Sequence, residues 1–242
     1  MSNLKNAVKN IIPPSLLDWR RRKIAAANQQ KFADKTAAET FSAIYERNAW
    51  GGAAGEFYSG DGSTNKYADV YAKTIKKFIA GNKIERVVDL GCGDFRVAAK
   101  FVSDDFYYIG CDVVPSLIEY LNEKYKSETI EFRCVNIAED DLPDGDLCLI
   151  RQVLQHLSNA EIEKVLRSAG KYKFLIITEH YPNPQKDFEP NLDIPHGPSV
   201  RVQFDSAVVL DAPPFNLKNI KILLDVEAEE GTRIKTFVIT NV

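Results

Sequence analysis

Two glycines one residue apart, Gly91 and Gly93, stand between two carboxylates in the stretch Val87-Val88-Asp89-Leu90-Gly91-Cys92-Gly93-Asp94. Glycine takes positive φ without strain and lets a backbone approach a ligand closely. The apolar residues before the turn read as a strand, and the periodic run after it, 95–102, reads as a helix. Such a turn offers unpaired amides to a bound nucleotide. The acids limit which nucleotide. Asp89 and Asp94 would repel a pyrophosphate and favour a ligand that carries an ammonium and a sulfonium. A dinucleotide fingerprint also asks for a third glycine, and Phe95-Arg96-Val97 stands there instead.

That charge reading points to S-adenosylmethionine rather than NAD. Asp112, 19 residues past Gly93, closes a second apolar run. An acid there can accept both ribose hydroxyls, which suits either nucleotide. Asn136 ends a third run with Ile137 beside it, so an amide faces an adenine edge and an apolar side chain its ring. Acceptor chemistry belongs at the C-terminal ends of the strands, where open α/β sheets bind ligands. His156, in RQVLQHLSN, has the pKa range of a base, with loop packing as the plainer reading. Glu179 and His180 end a strand in LIITEHY and are candidates for direct contact with the acceptor. His196, in NLDIPHGPSV, is placed to close over the pocket with Asn191 and Asp193, or to be a solvated turn. No metal-ligand spacing occurs, so transfer is expected to be metal-independent.

The elements that hold these residues alternate. Strands at 85–90, 107–112, 129–135, 146–151 and 173–179 are separated by helical patterns at 95–102, 115–126 and 158–169. This order predicts a parallel sheet with helices on both faces. A Pro/Asn-rich loop follows, and 219–242 reads as a β-hairpin around Glu229-Glu230-Gly231-Thr232. Ahead of the sheet, 3–12 is helical until Pro13-Pro14, and 15–48 reads as one or two helices with Ser15 as cap. Residues 49–64 form a glycine-rich loop, and 65–82 an amphipathic helix. The loop carries Trp50, Ser59 and Ser63, and Tyr45 precedes it. Linkers rarely need aromatics beside their glycines, so these four are expected to wall the cofactor mouth.

VVDLGCGD, IGCDVV, VNIAEDDLP and DLCLIRQVLQHLSN, in this order, resemble the class I S-adenosylmethionine-dependent methyltransferases over about 85–242. The resemblance includes the terminal hairpin. It implies an α/β, Rossmann-like fold: a seven-stranded, mostly parallel sheet with a C-terminal antiparallel hairpin strand and an N-terminal helical extension. It divides the chain into an extension with its lid loop, 1–64, and a catalytic domain, 65–242. It assigns the methionine turn to Asp89, Gly91 and Gly93, the ribose to Asp112 and Val113, the adenine to Asn136 and Ile137, and the methyl pocket to Arg151. IYERNAWGG…SGDGST, RQVLQHLS and NLDIPHG…LDAPPF are similar to a bacterial subgroup associated with surface-glycan and small-metabolite modification. That subgroup more often has Arg-Asp where Arg151-Gln152 stands. The implied reaction is O-methylation of a sugar, glycan precursor or other small metabolite, with S-adenosylhomocysteine as product. The alternatives are an NAD(P)-dependent Rossmann oxidoreductase and a catalytically inactive S-adenosylmethionine-binding module.

With 242 residues, 45% hydrophobic and 27% charged, the chain has the composition of a soluble globular protein. Its net charge of −3 offers no field for a polyanion, so nucleic acid is not an expected partner. Residues 1–31 are the exception, with seven Lys/Arg against the single acid Asp18. The Trp19-to-Lys23 stretch reads as a solvated helix face, with contact of 3–23 with an anionic membrane or carrier as the alternative. Cys92, Cys111, Cys134 and Cys148 form no Cys-x-x-Cys pair and read as buried thiols of a cytoplasmic protein.

Overall fold

A computed structural model describes Lys23, Ala27, residues 34–63 and residues 66–240. The helix at 3–12, the Ser15 cap and most of the basic stretch lie outside the described residues. In chain order the elements are α1 (Ala37–Glu46), α2 (Lys66–Asn82), β1 (Arg86–Leu90), β2 (Tyr107–Asp112), α3 (Pro115–Tyr125), β3 (Ile130–Cys134), β4 (Leu147–Arg151), α4 (Asn159–Ala169) and β5 (Phe174–Tyr181). Then come the two-residue strands β6 (Glu189–Pro190) and β7 (Ser206–Ala207), and the hairpin β8 (Ile220–Glu227) and β9 (Arg233–Thr240).

Seven strands form one sheet in the order β3-β2-β1-β4-β5-β9-β8. The first five are parallel, and β9 runs antiparallel to both β5 and β8. The order reverses between β1 and β4, which opens a crevice at the C-terminal ends of those strands. Alternation along each strand divides the core in two. Val87, Tyr108, Leu147 and Leu149 face α2 and α3, whereas Val88, Ile109, Cys148 and Ile150 face α4. Helices therefore cover both faces, as the period of two within each strand requires. α1 starts with a capping box at Thr36 and Glu39, and α4 with one at Ser158 and Glu161.

Two expectations fail. The run 95–102 is no α-helix and holds only a 3₁₀ turn at Ala98–Lys100. Phe95 has φ 65°, outside the helical region. Its ring is buried against Tyr108, Tyr125 and Phe132 at 5.0–5.5 Å, and Asp94 Oδ1 accepts the Arg96 N–H at 3.2 Å. Burying that ring outweighs the helical pattern. Cys134 is exposed, because it ends the edge strand β3; Cys92 is partly exposed, and Cys111 and Cys148 are buried.

Candidate active site

A cavity with about 1120 Å³ of empty space, its open mouth included, lies over the C-terminal ends of β1, β2 and β4. Its floor is the glycine turn. Gly91 and Gly93 have φ 75° and 55°. The Gly91 and Cys92 amides donate to Cys111 O at 2.8 and 2.9 Å, which pins the turn to β2. A Cβ on Gly91 would strike Val153, and one on Gly93 would strike Ser59 Oγ.

Asp89 and Asp112 line the cavity and are nearly buried. Asp89 Oδ2 accepts from Tyr108 OH at 2.8 Å. Asp112 Oδ2 accepts from Gly93 N at 3.1 Å and its Oδ1 from Val114 N at 3.2 Å. Burial raises each carboxyl to about 6, against which these hydrogen bonds work. Opposite them, Arg151 Nη2 donates to Gly62 O at 2.8 Å, and its guanidinium lies over the Tyr71 ring at 5.2 Å. The buried Arg151 Nε makes no hydrogen bond. Val113 and Ile137 give the cavity an apolar wall. Asn136 lines it too, yet its amide is not free. Oδ1 accepts from Ala138 N at 3.1 Å and Nδ2 donates to Glu139 Oε2 at 2.9 Å, so the side chain builds the turn after β3.

The N-terminal segment forms the roof. Ala37, Phe41 and Tyr45 recur at helical spacing along α1 and all line the cavity with Trp50, Ser59 and Ser63. The Tyr45 and Trp50 rings meet edge-on at 5.5 Å. Ser59 ties the loop down: its Oγ accepts from Asp94 N at 2.7 Å and bonds Tyr45 OH at 2.8 Å, and its own amide donates to Asp94 Oδ2 at 2.9 Å. Ser63 Oγ donates to Gly60 O at 2.8 Å. On the outside, Arg96 pairs with Glu56 at 2.5 Å.

His156 lines the cavity, 5.3 Å from the Trp50 ring. Its Nδ1 faces two carbonyls, Gly197 O at 3.1 Å and Ser199 O at 3.2 Å, so Nδ1 carries the proton, and the Nε2 lone pair meets the Gln155 amide at a long 3.5 Å. Burial pushes its pKa down to about 4, and the imidazole is neutral at physiological pH.

Three proposed acceptor residues lie elsewhere. Glu179 is buried beneath the cavity, where Oε1 and Oε2 accept from Leu154 N at 3.0 Å and Gln155 N at 3.3 Å. Successive residues of a strand point to opposite faces, so His180 turns away and meets Thr232 Oγ1 at 2.9 Å. His196 does not line the cavity: Nδ1 meets Glu161 Oε1 at 2.8 Å and Nε2 meets Lys35 O at 2.9 Å. Asn191 and Asp193 are structural as well. Asn191 Nδ2 donates to Val209 O and Pro213 O, and Asp193 Oδ1 accepts from Asn159 N at the start of α4. Sequence reading missed Phe41, Tyr71, Gln152 and Glu161, which line the cavity. Phe41 was findable, four residues before Tyr45 on one helical face; Tyr71 and Glu161 sit on amphipathic helices with nothing local to mark them.

Residues 87–172 match the model of a methyltransferase domain family. No curated protein matches the chain by sequence. Among solved structures, the chain resembles the N-terminal domain of EvdMO1, solved in the presence of SAH and D-fucose. It is 15% identical with a TM-score of 0.52, covering 76% of this chain and 90% of that one. N-methyltransferase NodS from Bradyrhizobium japonicum WM9, in complex with S-adenosylhomocysteine, is 11% identical with a TM-score of 0.54 over 73% and 89%. Human N-acetylserotonin methyltransferase, in complex with SAM, is 13% identical with a TM-score of 0.52 over 94% and 67%. At these identities the likeness is one of fold. Residues 87–172 thus match a methyltransferase domain, and the sheet around them has the Rossmann-like methyltransferase fold of these structures. Among the described residues, no group of His, Cys, Asp and Glu is arranged to hold a metal ion, and no helix is long and apolar enough to cross a membrane.

Proposed function

We propose that the cavity binds S-adenosylmethionine and that the enzyme methylates a hydroxyl of a sugar, glycan precursor or other small metabolite. The observation that carries this reading is that the Asp89 carboxylate and the Arg151 guanidinium, whose buried Nε has no hydrogen-bond partner, line one cavity. An amino-acid zwitterion needs that set: an acid for its ammonium and a donor for its carboxylate. Asp112 is left for the ribose hydroxyls, and Val113 and Ile137 for the adenine faces. Tyr45, Trp50, Ser59 and Ser63 close over the ligand, so that 1–64 acts as a lid extension on the domain at 65–242.

When bound, S-adenosylmethionine supplies a methyl group already activated for in-line displacement. The chain's residues then have to align the acceptor, worth roughly 7–11 kcal/mol. His156 takes the acceptor's hydroxyl proton at Nε2; with its pKa pushed down to about 4 it is a weak base, and its assistance falls at or below the low end of the usual range of about 10²–10⁴-fold. Glu179 acts from below, holding the amides of the turn that carries His156. Because the donor is an intracellular metabolite, the reaction belongs in the cytoplasm.

Calorimetric titration with S-adenosylhomocysteine and with NADH, on the wild type, Asp112→Ala and Arg151→Met, tests the donor. Binding of the first alone, weakened in both variants, is expected. Binding of NADH would replace this reading with the oxidoreductase. Labelled-methyl transfer to a panel of sugars and phenols, with His156→Asn beside the wild type, tests the reaction. The Asn variant keeps a donor for the Gly197 and Ser199 carbonyls and lacks the Nε2 lone pair.

A further inference from the structure

The cavity's charge decides which acceptors it admits. Among the described residues that line it, four are acids, Asp89, Asp94, Asp112 and Glu161, and the one permanent cation is Arg151. Asp94 is paired with Arg96 at 3.6 Å and Glu161 with His196 at 2.8 Å, which leaves Asp89 and Asp112 as the uncompensated charges. Arg151 is already engaged by Gly62 O and the Tyr71 ring. On the reading above its remaining capacity serves the methyl donor's carboxylate. The amides that would cradle an anion are engaged too, Gly91 N and Cys92 N by Cys111 O and Gly93 N by Asp112. The buried Arg201 guanidinium serves Leu192 O, Leu157 O and Asn159 Oδ1 and does not line the cavity.

What remains is aromatic. Trp50 and Phe41 have ring centroids 6.1 Å apart, and His156 lies 5.3 Å from Trp50 and 6.5 Å from Phe41. Its polar functions are the Gln152 amide, the neutral His156 Nε2 and the Glu161 carboxylate, which is held by His196 and Ser158. All of these accept hydrogen bonds or are uncharged.

We propose that the acceptor is an uncharged, ring-bearing, hydroxylated molecule seated against Trp50, Phe41 and His156, and that phosphorylated, nucleotide-linked and carboxylated forms are rejected. The proposal rests on the methyl-donor reading. A phosphate brings about −1.5 to −2 charges and asks for guanidinium or ammonium partners. Here it would meet carboxylates in a partly desolvated space, where like charges are strongly disfavoured. A neutral ring gives up little hydration, lays its face on the indole, and presents its hydroxyl to His156 and Gln152.

The test reads the cavity's field without knowing the acceptor. The chain has two tryptophans, so Trp19→Phe, or Trp19→Tyr should that fail to fold, leaves Trp50 as the sole indole emitter. The variant is first saturated with S-adenosylhomocysteine by calorimetry; absence of that binding sinks the donor reading and is seen before any quencher is added. Trp50 fluorescence is then quenched with acrylamide, which is neutral, and with iodide, an anion, at constant ionic strength. Relative to the same pair on free N-acetyltryptophanamide, iodide is expected to lose at least about fivefold against acrylamide. Equal quenching by iodide overturns the proposal while leaving the donor site intact. On the wild type, labelled-methyl transfer to a hexose against its 1-phosphate is expected to favour the neutral member at least about tenfold, and faster methylation of the phosphate ester overturns it.

Discussion

Donor binding should be tightly linked to protons, and the structure sets the size of the effect. Asp89 and Asp112 both line the cavity, and burial raises each to about 6 from an ordinary 3.8. In their proposed roles both must be ionised, one to face an ammonium and the other to accept ribose hydroxyls. At pH 5 each is ionised in about one molecule in eleven, so affinity there should be roughly 100-fold below its plateau near pH 8. At pH 6 each is half-ionised, and binding should release about one proton in all. The sign follows from linkage. The ligand-free fold binds more protons than the unfolded chain between pH 3.8 and 6, so it loses stability as pH rises through that window, about 3 kcal/mol per group. A ligand that prefers the ionised form recovers part of that loss and binds better at higher pH.

The assay is calorimetric titration with S-adenosylhomocysteine from pH 5 to 8, in buffers of different ionisation heat. Log affinity in the wild type should climb with a slope approaching two per pH unit at the acid end. Asp112→Asn should halve the slope and the protons released. An affinity independent of pH, with no buffer dependence of the heat, would refute the assignment of both carboxylates to the ligand.

Three other perturbations probe the site's supports. Gly91→Ala forces a side chain into positive φ and against Val153; S-adenosylhomocysteine affinity should fall at least about tenfold, and an unchanged calorimetric constant would mean the turn is not the cradle. Ser59→Ala removes the acceptor of Asp94 N and the partner of Tyr45 OH; denaturant unfolding should show a loss of about 1–3 kcal/mol. Glu179→Gln puts an NH₂ against the Leu154 or Gln155 amide; it should cost a similar amount of stability and lower methyl transfer while leaving donor affinity unchanged. Donor affinity falling in step with turnover would place Glu179 at the ligand after all.

The sheet was legible because its parallel strands are short apolar runs separated by helical patterns and turn residues. β2 was found to the residue, and β1, β4 and α4 to within one. That Asp89, Asp112, Val113, Asn136, Ile137 and Arg151 would gather with the glycine turn around one cavity was legible for the same reason: they sit at or just past strand ends, and strand ends share one edge of a parallel sheet. Side-chain direction was not. Glu179 and His180 are adjacent at the end of β5, and their position said nothing of which would point to the turn at Leu154 and which to Thr232. His196 reads as a pocket histidine until its two ring nitrogens are seen to be taken by Glu161 and Lys35 O. Such pairings span 35 and 161 residues of chain, beyond any local pattern.

The missing third glycine and the missing helix after the turn have one cause. In a dinucleotide fold the third glycine serves close packing of the first helix on its strand. Here no helix follows, and the Phe95 ring fills that space at positive φ, 3% exposed. The chain after the turn is then free to bring Asp94 round to the lid loop, where it accepts Ser59 N and fixes the roof. The two acids beside the glycines therefore differ in their work: both line the cavity, and Asp94 also holds the loop above it. The negative cradle that disfavours a pyrophosphate is completed by Asp112 from the next strand, which ties its carboxylate to Gly93 N at the centre of the turn. The charge of the turn was readable from its residues, whereas the tie between Asp94 and the Ser59 amide, 35 residues away, was not.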